Sequence, residues 1–128
     1  MENIRSFRQL KVWMKAMDVA MKIFELTKSF PVDEKYSLTD QIRRSSRSIA
    51  ANISEAWRAR RYPASFVNKL CIAEGEAAET QTHLEIAHRC KYMKSVDLNT
   101  LDKLLEEILS MLVKMSAQPE KWSIRKKV

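Results

Sequence analysis

Residues 37–61 read SLTDQIRRSSRSIAANISEAWRARR, and this stretch decides the fold. Leu38, Ile42, Ile49, Ile53 and Ala56 fall on one side of a 3.6-residue period while most remaining positions are polar, which predicts an amphipathic helix. No Gly or Pro interrupts it. Ser37 stands where a capping hydroxyl belongs, with Asp40 three residues on, a variant of the capping box.

The same periodicity extends outward in both directions. Upstream, from Phe7 to Phe30, Leu10, Trp13, Met17, Ala20 and Phe24 form an apolar line that Val12, Ala16, Val19 and Ile23 widen. The Phe30-Pro31 pair ends that helix, because the residue before proline is pushed out of helical geometry. Downstream, Pro63 suits a first helical position, and Phe66, Leu70, Ala73, Ala77, Leu84 and Ala87 follow at helical spacing. Gly75 inside this third helix costs up to about 1 kcal/mol relative to Ala, a cost expected to serve close approach of a neighbouring helix. After Tyr92–Ser95, with Ser95 or Asp97 as cap, Leu98, Leu101, Leu105, Ile108, Leu112 and Met115 give a fourth helix that Pro119 stops. Four such helices on short connections predict an all-α, up-down-up-down antiparallel four-helix bundle over residues 1–118. A basic tail, 119–128, follows, from which Trp122 is placed to dock locally.

Composition agrees with this reading. One Gly and three Pro among 128 residues leave too few turn formers for a many-stranded fold, and 45% hydrophobic residues exceed what a disordered chain carries. Cys71 and Cys90, if both lie on one straight helix, stand about 28 Å apart, far beyond disulfide reach. Free thiols, no apolar core behind the charged Met1–Arg5 start and no long apolar window lead to the expectation of a cytoplasmic protein without membrane contact. Trp13, Trp57, Trp122 and seven Met exceed what one narrow core readily hides, so association with further copies is expected.

Lys and Arg number 23 against 16 Asp and Glu, a formal net charge of +7 that favours polyanionic partners. On an ideal helix Arg43, Arg47, Arg58 and Arg61 share a cationic stripe, while Arg44, Ser48, Asn52 and Glu55 line the adjacent face. The latter line is read as a hydrogen-bonded seam that fixes register; the alternative is a polar ligand site. The stripe is either a phosphate-binding surface or a face paired with Glu74, Glu76, Glu79 and Glu85 of the third helix. Glu85-Ile86-Ala87-His88 matches half of a di-metal bundle motif without a second copy, and Glu79 with His83 makes one more chance pair, so no metal or cofactor is expected. Cys71 has no His at helical spacing, and one Gly cannot build a phosphate loop. No catalytic residue is assigned, and a non-enzymatic role is expected.

Beyond these readings, three runs carry a resemblance. They are Leu10-Lys11-Val12-Trp13-x-x-Ala16, then Phe30-Pro31-x-x-Glu34-x-Tyr36-x-Leu38-x-x-Gln41-x-Arg43-Arg44, then Ser48-Ile49-x-x-Asn52-Ile53-x-Glu55. With Phe66, Leu70, Ile72-Ala73, Gly75, Glu79-Thr80-Gln81, Leu84 and Tyr92, the chain resembles the 23S rRNA-intervening-sequence proteins over roughly residues 7–115. The resemblance implies a small bacterial up-down bundle that assembles as a homopentameric ring. It extends to the accessory proteins of diversity-generating retroelements, basic pentamers that partner a reverse transcriptase and nucleic acid. The chain departs from the family pattern at Ala56-Trp57-Arg58-Ala59-Arg60-Arg61, where many members carry Gly, an aromatic, Gly and Arg, and at Gly75-Glu76, where relatives often have Gly-Ser. The combined expectation is a homo-oligomeric scaffold or adaptor that binds RNA or DNA through Arg43, Arg47, Arg58, Arg60, Arg61 and the Arg125-Lys126-Lys127 tail. The rival expectation is a module whose basic face docks an acidic protein.

Overall fold

The computed structural model describes residues 3–124. Its four helices are α1 (Lys11–Thr27), α2 (Leu38–Arg58), α3 (Pro63–Arg89) and α4 (Ser95–Ala117), with single 3-10 turns at Phe7–Gln9, Val32–Glu34 and Pro119–Lys121. Side-chain contacts fix the topology. Trp13 near the start of α1 meets Ser54 near the end of α2, Arg43 near the start of α2 meets Thr27 at the end of α1, Thr80 of α3 meets Ser45 of α2, and Lys15 of α1 meets Glu107 of α4. Glu55, late in α2, also meets Lys69, early in α3, and Gln81, late in α3, meets Asp102, early in α4, so consecutive helices run antiparallel and α4 closes the square against α1. At about 1.5 Å per residue the longest helix, 27 residues, makes a rod about 40 Å long. Among the described residues, no helix is long and apolar enough to cross a membrane.

Burial explains why these segments are helices. Ile42, Ile49 and Leu38 of α2, Phe66, Leu70 and Leu84 of α3, and Leu105, Ile108 and Leu112 of α4 meet in one continuous core. In α1 the core line is Val12, Ala16, Val19 and Ile23, whereas Met17 lies outside and Trp13 and Phe24 are half-buried. Leu10 and Ala20 of the expected line are buried too, so the core direction lies between that line and the residues expected to widen it. Both faces are apolar enough to satisfy a helical period, and the smaller β-branched residues pack closer to the bundle axis. The α1 helix is also shorter than expected: Phe7–Gln9 forms a separate 3-10 turn capped by Ser6, and α1 ends at Thr27.

Three local expectations are corrected. Ser37 is the N-cap residue of α2, but its hydroxyl makes no capping bond: it donates to Glu34 Oε1 at 2.5 Å, and the same carboxylate accepts the Leu38 amide at 3.4 Å. Neither Ser95 nor Asp97 caps α4, whose N-cap residue is Lys94; Ser95 instead meets His88 Nε2 at 2.9 Å. Gly75 approaches no neighbouring helix, since a Cβ built there meets nothing within 4 Å. The α3 helix ends in a Schellman arrangement, with the Lys91 and Tyr92 amides donating to the His88 and Ala87 carbonyls and Lys91 held at φ 65°.

The bundle also houses more of its aromatics than expected. Trp57 is buried, Trp13 and Trp122 are half-buried, and Trp122 stacks on Phe66 with ring centroids 6.4 Å apart. Among the exposed apolar residues, Met14, Met17 and Met21 form a stripe along α1.

Candidate nucleic-acid interface

The cations predicted to form one stripe on α2 are distributed by the fold into three settings. Arg43 is taken up by α1. Its Nε donates to Thr27 Oγ1 at 2.7 Å, its Nη2 to the Phe24 carbonyl at 3.4 Å, and its guanidinium lies 4.9 Å from the Phe24 ring centroid. A cation there satisfies the carbonyl end of α1, so Arg43 serves as an interhelical cap rather than an open phosphate contact. Arg47 stays exposed in mid-helix. Because α2 ends at Arg58, Arg60 and Arg61 lie in the turn leading to α3 and cannot continue the helical stripe. Arg125, Lys126 and Lys127 lie outside the described residues.

The expected seam is likewise divided. Asn52 Nδ2 donates to the Ser48 carbonyl at 2.8 Å and the Ser48 hydroxyl at 3.0 Å, a local pair within α2. Arg44 pairs instead with Asp40 at 3.7 Å, and Glu55 with Lys69 of α3 at 3.0 Å. One continuous Arg44–Glu55 line therefore does not form, since its ends turn to opposite partners.

Two concavities flank α2. The larger, about 730 Å³, lies between α2 and α3 and is lined by Arg44, Arg47 and Ser48 on one side and Glu76 and Glu79 on the other. Its charge is mixed. Glu76 titrates above its ordinary value, first because it is partly buried and then because Glu79 stands beside it, an effect His83 opposes. His83 is mostly buried, 3.5 Å from Glu79 Oε1, and neither ring nitrogen has a hydrogen-bond partner. Glu85 pairs with Arg89 rather than with His88, and no group of three or more metal-binding side chains is assembled among the described residues.

The second concavity, about 440 Å³, sits where α2 gives way to α3 and is lined by Phe7, Ser54, Glu55, Arg58, Ala59, Tyr62 and Lys69. Local geometry fixes its walls. The Tyr62 amide donates to the Ala59 carbonyl at 2.9 Å, its carbonyl accepts from Phe66 at 3.0 Å, and Pro63 opens α3. Phe7 packs edge-on to Trp13 at 5.4 Å, and Trp13 Nε1 donates to Ser54 Oγ at 3.0 Å. Arg60 lies flat over Trp57, 3.4 Å from the ring centroid, with Nε donating to the Trp57 carbonyl at 2.7 Å. Burial and then the charge of Arg58 push the Arg60 pKa down. Arg58 and Arg61 are exposed, and neither forms an ion pair among the described residues. Arg8 adds a further cation 4.5 Å over Phe7.

This end of the bundle therefore gathers Arg8, Arg58, Arg60, Arg61 and Lys69 around exposed or half-exposed aromatics. Phe7, Arg8, Tyr62 and Lys69 were not among the expected site residues. Tyr62, directly after Arg60-Arg61 and before Pro63, carried a readable signal of an aromatic among cations. Phe7, Arg8 and Lys69 reach the site only through tertiary packing.

The model of the family described as 23S rRNA-intervening sequence protein matches residues 8–114. Among solved structures, a protein with unknown function from the S23 ribosomal protein family of Bacteroides thetaiotaomicron is 34% identical, with a TM-score of 0.75. The match covers 83% of this chain and 95% of that one. No curated protein matches the chain.

Proposed function

From the premise that the chain belongs to the 23S rRNA-intervening sequence protein family, we propose a non-enzymatic, cytoplasmic, homo-oligomeric scaffold that binds RNA or DNA through the basic end of the bundle. The observation that carries this reading is the concentration of Arg58, Arg60 and Arg61 at the α2–α3 turn, with Arg58 and Arg61 exposed and outside any ion pair among the described residues. Unpaired, solvated guanidiniums cost little to redirect onto phosphates and suit their paired acceptor oxygens. Arg47 extends the basic surface along α2, and the Arg125-Lys126-Lys127 segment adds charge by sequence. The exposed Met14–Met17–Met21 stripe supports self-association, for which a pentamer is proposed. Repeating a +7 protomer around a ring strengthens weak phosphate contacts by avidity.

The test is fluorescence anisotropy with a labelled 20-mer RNA between 50 and 200 mM salt, alongside light scattering for oligomeric state. The expected result is affinity that falls steeply with salt, weakened by Arg58→Glu/Arg61→Glu, in a particle of several protomers. An affinity that stays flat with salt, or ignores the double substitution, overturns the nucleic-acid reading. Binding of poly-glutamate without RNA binding replaces it with the acidic-partner reading.

A further inference from the structure

We propose that the concavity between Phe7 and Tyr62 is a stacking slot for an unpaired nucleobase, so that the basic end takes single-stranded rather than duplex nucleic acid. This rests on the nucleic-acid reading above and names the ligand class of the same site. Two observations carry it. Tyr62 is 62% exposed on a backbone pinned by two hydrogen bonds and followed by Pro63, yet its ring has no aromatic or cationic partner among the described residues. The other rings of this end are occupied: Phe7 by Arg8 and Trp13, Trp57 by Arg60, and Phe66 by Trp122.

Charge complementarity selects the occupant. Arg58 stands at the rim without an ion pair, while the one carboxylate of the lining, Glu55, is held by Lys69 at 3.0 Å. A planar, apolar-faced group joined to an anion fits this arrangement, and a base with its flanking phosphate is such a group. Bases inside a duplex are already stacked on one another and cannot enter a side slot, whereas those of a single strand can be splayed onto an aromatic face. The slot has little means to read a base edge. Ser54 Oγ already accepts from Trp13 and donates to the Ala50 carbonyl, Glu55 and Lys69 are paired with each other, and Arg58 is assigned to phosphate, so tolerance of base identity is expected.

The test compares four labelled probes with the full chain at one salt concentration: U20 RNA, dT20, a dT-length abasic sugar-phosphate strand, and a 20-base-pair duplex. The expected result is that U20 and dT20 bind roughly ten-fold or more tightly than the abasic strand and the duplex, as one stacked base supplies. Tyr62→Ala removes that preference, and Tyr62→Phe restores it. Equal affinity for dT20 and the abasic strand in the unsubstituted protein, or a preference untouched by Tyr62→Ala, overturns the slot. If Arg58→Glu/Arg61→Glu still weakens all probes in that event, the basic-end reading stands without it; if that variant weakens none, both fall.

Discussion

The two ends of the rod use similar residues to opposite effect. At the end where α2 passes into α3, cations stack on rings and remain in excess: Arg8 on Phe7, Arg60 on Trp57, with Arg58 and Arg61 exposed. At the end where α3 passes into α4, cations stack as well, Lys28 on Phe24 and Lys35 on Tyr36, but carboxylates stand among them. Lys28 also pairs with Glu25, Arg89 pairs with Glu85, and Glu34 gathers the hydroxyls of Ser37 and Tyr92. Net charge alone does not make a binding surface; cations whose local carboxylates are missing do. The first end has the surplus, and at the second carboxylates offset much of the charge.

The largest expected difference between the ends is in packing. Phe66, 1% exposed, is a core ring on which the half-buried Trp122 stacks, whereas Phe30, 8% exposed, leans on Tyr92 at 5.6 Å. Phe66→Ala should cost about 3–5 kcal/mol, because it leaves a cavity and removes the Trp122 platform, and Phe30→Ala should fall at or below the low end of that range. Urea denaturation of both variants checks this; equal losses would mean that the Trp122 segment contributes no packing. Next comes Trp13→Phe, which keeps a ring beside Phe7 but deletes the bond to Ser54. A loss of about 1 kcal/mol is expected, since Ser54 retains the Ala50 carbonyl. No loss by the same assay would reduce the Trp13–Ser54 contact to an exposed, exchangeable one.

Much of this was legible in the sequence. The α2 line Leu38, Ile42, Ile49, Ile53 and Ala56 is buried as read, because that helix has a single strongly apolar face; the α3 line from Phe66 to Ala87 is buried as well, although Ile72 and Ile86 leave apolar residues on its outer side. The α1 helix misled because two neighbouring faces are apolar, and Met17 belongs to the one turned outward. The cationic stripe dissolved for a different reason. Periodicity assumes the helix continues, but α2 stops at Arg58, and Arg43 finds a carbonyl and a hydroxyl on α1 that no one-helix projection contains. Phe7 and Lys69 became visible only once three segments met at one corner.

Two backbone positions, Gly75 within α3 and Lys91 at the α3–α4 end, carry residues contrary to local preference, and both are expected to improve on exchange. Gly75 is helical with open space where a Cβ would stand, so Gly75→Ala should stabilise by about 0.4–1 kcal/mol. Lys91 sits at φ 65°, a left-handed position that glycine holds without strain, so Lys91→Gly should stabilise by a similar amount, about 1 kcal/mol. Thermal melts at fixed protein concentration measure both. A destabilising Gly75→Ala would show that a neighbouring copy occupies that open face, and the protomer alone would then be an incomplete account of α3.

The smallest effect separates the ends by pH. Glu34 has its pKa lowered, chiefly by the Ser37 hydroxyl and then by Tyr92, while Tyr92 has its pKa raised, chiefly by the bond to Glu34. Glu34 therefore stabilises the fold above its unfolded value near 4.5, and that contribution is lost as pH falls through the lowered folded value. Tyr92 acts with the opposite sign: its contribution is whole below its unfolded value of 10.0 and is lost as pH rises through the raised folded value. Tyr92→Phe should remove the alkaline loss and shrink the acid one without abolishing it, because Ser37 still donates to Glu34. Both groups are solvated, so the change is small beside the packing losses. Melting temperatures of the wild type and Tyr92→Phe across pH 3–11 decide the matter. An alkaline arm identical in the two proteins would mean that the Tyr92–Glu34 bond is not what settles the charge of this end.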